Sequence, residues 1–259
     1  MTDAISLGIC VTRDKAQHVA PGYDYLELVV AALMPLEDDD AFAPQSAKLA
    51  KLVPHVRAFN CFLPGNLKIV GEHVQWDEVE RYVSTAIARA AQLGARVIVF
   101  GSGGSRTVPD RFSRSLAWGQ LVRFMNLCAD SAEEHGVVIA IEPLNHTESN
   151  ILNSYPEAVT LAKDVGRVDI VRVLADIYHF MMDGQPLDDI LQGPELLAHV
   201  HLSDTGRWFP GSGTYPIERL FDILKDIDYR GMASIECAWG DDMRDESARA
   251  LDFLRSLAG

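Results

Sequence analysis

Four apolar segments in the C-terminal half each end on a side chain that such segments seldom hold. Glu142 closes VVIAIE, Asp176 lies late in VRVLAD, His201 late in AHVH and Glu236 late in MASIE. A carboxylate taken out of water without a partner costs several kcal/mol, so the recurrence asks for a shared explanation. Side chains alternate between the two faces of a strand. If His201 points one way, Ala198, Val200 and Leu202 point the other, and His199 shares the His201 face. The same parity sets Ala233, Ile235 and Cys237 opposite Glu236, and Val171, Val173, Ala175 and Ile177 opposite Asp176. Val137, Ile139 and Ile141 lie opposite Glu142. Every opposite face is apolar, so three carboxylates and one imidazole converge. Hard oxygen donors with one nitrogen suit one divalent metal ion, Mn2+ or Mg2+ first, with Zn2+ and Co2+ also allowed. The competing reading is a buried ion-pair network completed by Arg172, which shares the Asp176 face.

Such convergence needs a scaffold that brings strand ends together. Eight short strands are predicted: Ile5–Val11, Tyr25–Val30, Val56–Leu63, Val97–Gly101, Val137–Ile141, Val171–Ile177, Ala198–Leu202 and Met232–Cys237. Most are rich in Val and Ile, as strands buried on both faces should be. Helical periodicity runs over Val79–Leu93, Phe112–His135, Pro156–Val165, Pro216–Ile227 and Asp242–Leu257, with Gly94 and Gly136 as stops. The segment between the first two strands has the weakest helix signal, and the sixth helix, near Leu187–Leu191, is short. The 259 residues divide into eight units of roughly 32. The fold class expected is therefore α/β, a (β/α)8 TIM barrel forming a single domain over residues 1–259. A doubly wound open sheet fits less well, because no GxGxxG follows the first strand. GSGGS at Gly101–Ser105 reads as a tight turn or close backbone approach at the barrel mouth rather than a phosphate cradle.

The formal charge of −14 argues against nucleic acid, where clustered Lys and Arg must neutralise phosphates. No apolar run is long enough to cross a membrane. Asp3 stands where a signal peptide needs positive charge, so the chain is expected to be cytoplasmic. Cys10, Cys61, Cys128 and Cys237 show no CxxC spacing and are expected to be reduced and mostly buried.

At IEPLNHTE (141–148), LADIYHF (174–180), HVHLSDTGRWFPGSG (199–213) and SIECAW (234–239) the sequence resembles the xylose-isomerase-like barrel superfamily. Within it, the branch of sugar and sugar-phosphate isomerases and epimerases, ketose 3-epimerases above all, is the most similar. The resemblance implies that Glu142, Asp176, His201 and Glu236 hold the metal and that Glu142 and Glu236 form the acid/base pair. It implies substrate contacts at Glu148, His179 and Arg207, and allows a homodimer or homotetramer. Where the epimerase pattern places Gly-Glu-Ala-Asn before that arginine, this chain has Ser203, Asp204, Thr205 and Gly206. The substrate implied is a small ketose or sugar phosphate. A divalent ion acidifies the C–H beside a carbonyl, and two glutamates on opposite sides of an enediolate can move its proton. A keto-inositol dehydratase would use similar ligands, and a non-catalytic sugar-binding barrel would have no need of two buried acids. An apurinic endonuclease of this fold needs more His and Asp ligands than FNCFLPG and FGSGG supply.

The remaining polar residues divide into roles by position. His199 reads as a buried supporting or core residue, and Glu27, inside YLELVV, as either an orienting carboxylate or a substrate contact. Trp208, Phe209 and Trp239 are placed at the mouth. Arg106 and Arg111 read as exposed loop arginines, with a phosphate contact as the lesser alternative. His18, His55 and His73 are surface or loop residues, and His135 closes a helix.

Overall fold

A computed structural model describes residues 5–258. Asp3 lies outside them. Eight strands, β1 (Ser6–Cys10), β2 (Tyr25–Val29), β3 (Val56–Asn60), β4 (Val97–Phe100), β5 (Val138–Ile141), β6 (Val171–Asp176), β7 (Leu197–Leu202) and β8 (Met232–Ile235), pair in parallel in chain order. β8 pairs with β1 and closes the barrel. The helices are α1 (Asp39–Leu49), α2 (Trp76–Gln92), α3 (Gly103–Arg106), α4 (Arg114–His135), α5 (Tyr155–Val165), α6 (Ile177–Met182), α7 (Ile217–Asp226) and α8 (Met243–Ala258).

Each long helix forms where the apolar spacing and the caps agree. In α2, Val79, Tyr82, Val83, Ala86, Ile87 and Ala90 make one buried stripe. α4 begins at the Ser113 hydroxyl, which accepts from the Leu116 N–H, and ends at Gly136 in the left-handed region. Pro156 occupies the first turn of α5 behind the Ser154 cap. α1 has no counterpart in the sequence reading. It buries only Phe42 and Leu49 and carries Pro44, so little periodicity marks it; the Asp38 carboxylate, accepting from Ala41 N–H at 2.8 Å, starts it. Between β1 and β2 lies only a 3-10 turn, Arg13–His18, and the short segment after β6 is α6 followed by a 3-10 turn at Leu187–Gln192.

Strand alternation sorts the interior into two apolar layers. Ile98, Phe100, Ile139, Ile141, Val173 and Val200 join the large core beneath the helices. Tyr25, Ala58, Val97, Val99, Ala140 and Leu174 fill the barrel itself. Two residues further along several strands the inward side chain turns polar: Glu27 after Tyr25, Asn60 after Ala58, Glu142 after Ala140 and Asp176 after Leu174. His201 after His199 and Glu236 after Ser234 complete the pattern. The barrel is thus plugged by carbon toward its N-terminal end and lined by oxygen and nitrogen at its C-terminal end, the end that carries chemistry in this fold. Arg172 falls at the wrong end to complete an ion-pair network. Its guanidinium donates to the Glu195 and Leu197 carbonyls at 2.7 and 3.3 Å.

Candidate metal and acid-base site

Glu142 follows β5 directly, and its backbone N–H donates to the Phe100 carbonyl at 3.0 Å. Asp176 ends β6 and caps α6, with Oδ1 accepting from the Tyr178 N–H at 2.8 Å. Its other oxygen is buried without a hydrogen-bond partner. His201 projects from β7 with Nδ1 3.4 Å from Glu142 Oε1 and 3.6 Å from Glu236 Oε2. Glu236 lies one residue past β8, held by its N–H on the Leu202 carbonyl at 2.9 Å. Its carboxylate accepts from Asn60 Nδ2 at 3.1 Å and from Arg207 at 2.6 Å. One donor atom from each of Glu142, Asp176, His201 and Glu236 lies within 4.8 Å of the others. Within this cluster Asp176 Oδ2 and His201 Nδ1 are buried and without hydrogen bonds, and His201 Nδ1 lies between Glu142 and Glu236. Three carboxylates and an imidazole at that spacing could hold one hard divalent cation.

The crowding shifts the protonation of these groups. Burial, opposed by His179 and reinforced by Glu236 and Glu142, pushes the Asp176 carboxyl up to about 6. Burial works in the same direction on Glu236, but His201 and Arg207 outweigh it and hold that group down at about 2. Burial disfavours the His201 imidazolium, yet Glu27 and Glu236 outweigh it and raise its pKa well above the ordinary range. Arg207 is raised too, because Glu236, Asp176 and Glu148 outweigh its desolvation.

The three residues expected to contact substrate line the same cavity, of about 240 Å3, as Glu142 and Glu236. IEPLNHTE folds back on itself so that Asn145 donates to Glu148 Oε1 at 3.0 Å and meets His179 Nδ1 at 2.9 Å. The Asn145 backbone N–H also donates to His179 Nδ1, which makes that nitrogen an acceptor and puts the ring proton on Nε2. Nε2 lies 3.7 Å from Asp176 and 3.8 Å from Glu142. Arg207, at a left-handed backbone position, spans Glu236 and Glu148 and lies 4.5 Å over the Tyr178 ring. The GSGGS segment is a close approach. A Cβ at Gly101 would fall on the Glu142 carboxylate, and one at Gly103 would lie 2.5 Å from the Glu148 carbonyl oxygen.

Other expectations need correction or refinement. Arg106 is fully buried, with its guanidinium donating to the Phe100, Glu142 and Leu152 carbonyls at 3.3, 3.0 and 3.2 Å. It ties down the backbone under the site, so it is neither an exposed loop arginine nor free for phosphate. Of the four cysteines only Cys128 is buried; all are free and Cys61 is exposed in the cavity wall. Glu27 is entirely buried, which removes substrate contact from its alternatives. It accepts from His201 and His199 at 2.9 and 2.8 Å and from Ser234 at 2.6 Å. Phe209 and Trp239 stack at 6.4 Å, while Trp208 stays half exposed. Asn60, Asn145 and Ser234 escaped the sequence reading. Asn60 alone carried a usable signal, a polar side chain at the end of VRAFN with the same parity as the acids.

The sequence matches the family described as xylose isomerase-like TIM barrel over residues 16–257. The chain belongs to that family. It is 35% identical to a D-psicose 3-epimerase of Agrobacterium fabrum over 117 residues, covering 44% of this chain and 40% of that one. It is 27% identical to the hydroxypyruvate isomerase of Escherichia coli strain K12 over 164 residues, 62% of each chain. The matches thus span about half the length of these curated relatives. A solved D-psicose 3-epimerase of Clostridium cellulolyticum H10 superimposes with a TM-score of 0.84 at 20% identity, covering 98% of this chain and 99% of that one, a likeness of fold. Xylose isomerase-like relatives thus share with this chain the closed eight-strand parallel barrel.

Proposed function

We propose that this protein is a divalent-metal-dependent sugar epimerase or isomerase that moves a proton beside a carbonyl through an enediolate. The observation that carries the reading is the meeting of Glu142 and Glu236, from strands on either side of Asp176 and His201, in one cavity with Glu148, His179 and Arg207. Glu142, Asp176, His201 and Glu236 would hold the ion, which when bound acidifies a C–H next to a sugar carbonyl. Mn2+ or Mg2+ suits this oxygen-rich set best, with Zn2+ and Co2+ admitted by the histidine.

The chain's own residues supply the remainder. Glu236, held ionised by His201 and Arg207 against its burial and fixed by Asn60, serves as a base at neutral pH. Glu142 works across the cavity as the second proton carrier. His179 presents Nε2–H, and Glu148 and Arg207 present an acceptor and donors, for sugar hydroxyls. The names of the relatives include both epimerases and an isomerase. Both reactions begin with removal of the same kind of proton, and the substrate proposed is a small ketose or sugar phosphate. The cytoplasm is the compartment proposed for this reaction; among the described residues no helix is long and apolar enough to cross a membrane.

The test is deuterium incorporation from solvent, followed by NMR with Mn2+ added, across ketoses, aldoses, their phosphates and an inosose. Glu142→Gln and Glu236→Gln should each slow C–H exchange by about 10²–10⁴-fold. Exchange retained at the wild-type rate in both variants refutes the assignment.

A further inference from the structure

Beside His201 in the barrel interior, Glu27 is a carboxylate with 0% exposure that takes no direct part in the proposed reaction. Burying it costs several kcal/mol, and barrel filling does not require it, since Ala58, Val99, Ala140 and Leu174 fill neighbouring inward positions with carbon. Its two oxygens are used differently. Oε2 accepts from Ser234 Oγ at 2.6 Å and from His199 Nε2 at 2.8 Å. Ser234 is in turn held by the buried Tyr25 hydroxyl at 2.8 Å. With Oε2 fixed from two sides, Oε1 has one partner, His201 Nε2 at 2.9 Å.

A carboxylate at this position only accepts, so Nε2 of His201 must carry a proton. The ring atom left to face Glu142 and Glu236 is Nδ1, which is buried and lacks a hydrogen-bond partner. The same bond fixes the ring plane, which β7 alone leaves free to rotate about its side-chain torsions. We infer that Glu27 is a positioning residue for metal binding: by keeping the proton on Nε2 of His201 it leaves Nδ1 as the nitrogen the ion can take, and it holds the ring in place before the ion arrives. His199 and Ser234 serve Glu27 and do not touch the site directly. The inference rests on the metal-dependent reading and extends it to residues outside the proposed ligand set.

The experiment is calorimetric titration of Mn2+ into the chelator-stripped full chain, with Co2+ absorption as a report on coordination. Glu27→Gln keeps the side-chain volume but loses the charge, and cannot accept from all three donors. Its Mn2+ affinity should fall by about 10–100-fold with far-UV circular dichroism unchanged. Ser234→Ala, which removes one of the two bonds on Oε2, should weaken binding less, and it serves as the readout if Glu27→Gln does not fold. Because the deficit lies in affinity, C–H exchange by either variant should recover as Mn2+ is raised. Binding within twofold of wild type in the folded variants, or exchange that stays depressed at saturating Mn2+, overturns the inference and leaves the proposed function standing. A wild-type chain that binds no divalent ion overturns both.

Discussion

Replacing Asp176 by Asn should stabilise the metal-free protein while weakening its hold on metal. The carboxyl of Asp176 is 2% exposed, and burial together with Glu236 and Glu142 raises it from 3.8 to about 6. That shift of roughly 2 units corresponds to about 3 kcal/mol at 1.36 kcal/mol per unit, the cost of keeping the group ionised in the fold at pH 8. Asn carries no charge, so the variant avoids that cost. It also keeps the α6 cap, since its side-chain oxygen can still accept from the Tyr178 N–H. The folded state binds more protons at this position than the unfolded chain between about pH 4 and pH 6. Wild-type stability therefore falls, relative to the variant's, as pH rises through that window, and the gap is complete above it. Urea unfolding in chelator at pH 4 and pH 8 measures this. Near pH 4 the two proteins should be nearly equal, and at pH 8 the variant should be more stable by about 2–3 kcal/mol. Mn2+ should narrow or reverse the order, because a ligand at 100 times its Kd adds about 2.7 kcal/mol to the protein that binds it. A variant less stable than wild type in chelator at pH 8, or a difference that does not change with pH, refutes the reasoning.

Two further substitutions separate the site from the scaffold beneath it. Gly101→Ala places a methyl group on the Glu142 carboxylate, the movable end of a side chain. Stability in urea should change by less than about 1 kcal/mol, while metal affinity and C–H exchange fall at least tenfold; unchanged affinity would contradict the geometry. Arg106→Met leaves the Phe100, Glu142 and Leu152 carbonyls without their shared donor in the interior. Unfolding should become easier by about 3–5 kcal/mol, and a loss under 1 kcal/mol would show that the buried guanidinium is dispensable.

The barrel and the four converging residues were legible because both depend on a local rule. Apolar residues on one face of VVIAIE, VRVLAD, AHVHL and MASIE fix which way the strand lies, and that fixes where Glu142, Asp176, His201 and Glu236 point. Glu148, His179 and Arg207 were reached through resemblance, and the fold places them in the same cavity. α1 was missed because Pro44 and a largely polar sequence hide it, its start being set by one Asp cap. Arg106 was misplaced for a different reason. Four-residue α3 carries no periodicity, so nothing in GSGGSR tells that its guanidinium turns inward under β5.

Sequence by itself determined the alternation of strands and helices, the parity of the acids, and the absence of a GxGxxG nucleotide loop after the first strand, since all three are read over a few neighbouring residues. Tertiary structure alone decided which side chain meets which. Glu27 and His201 stand 174 residues apart and touch only because the closed barrel brings β2 and β7 to face each other across its axis. Asn60 reaches Glu236 across 176 residues for the same reason. Side-chain direction is a property of one strand with a period of two; the partner it finds depends on the stagger of all eight strands around the barrel, which no single segment encodes.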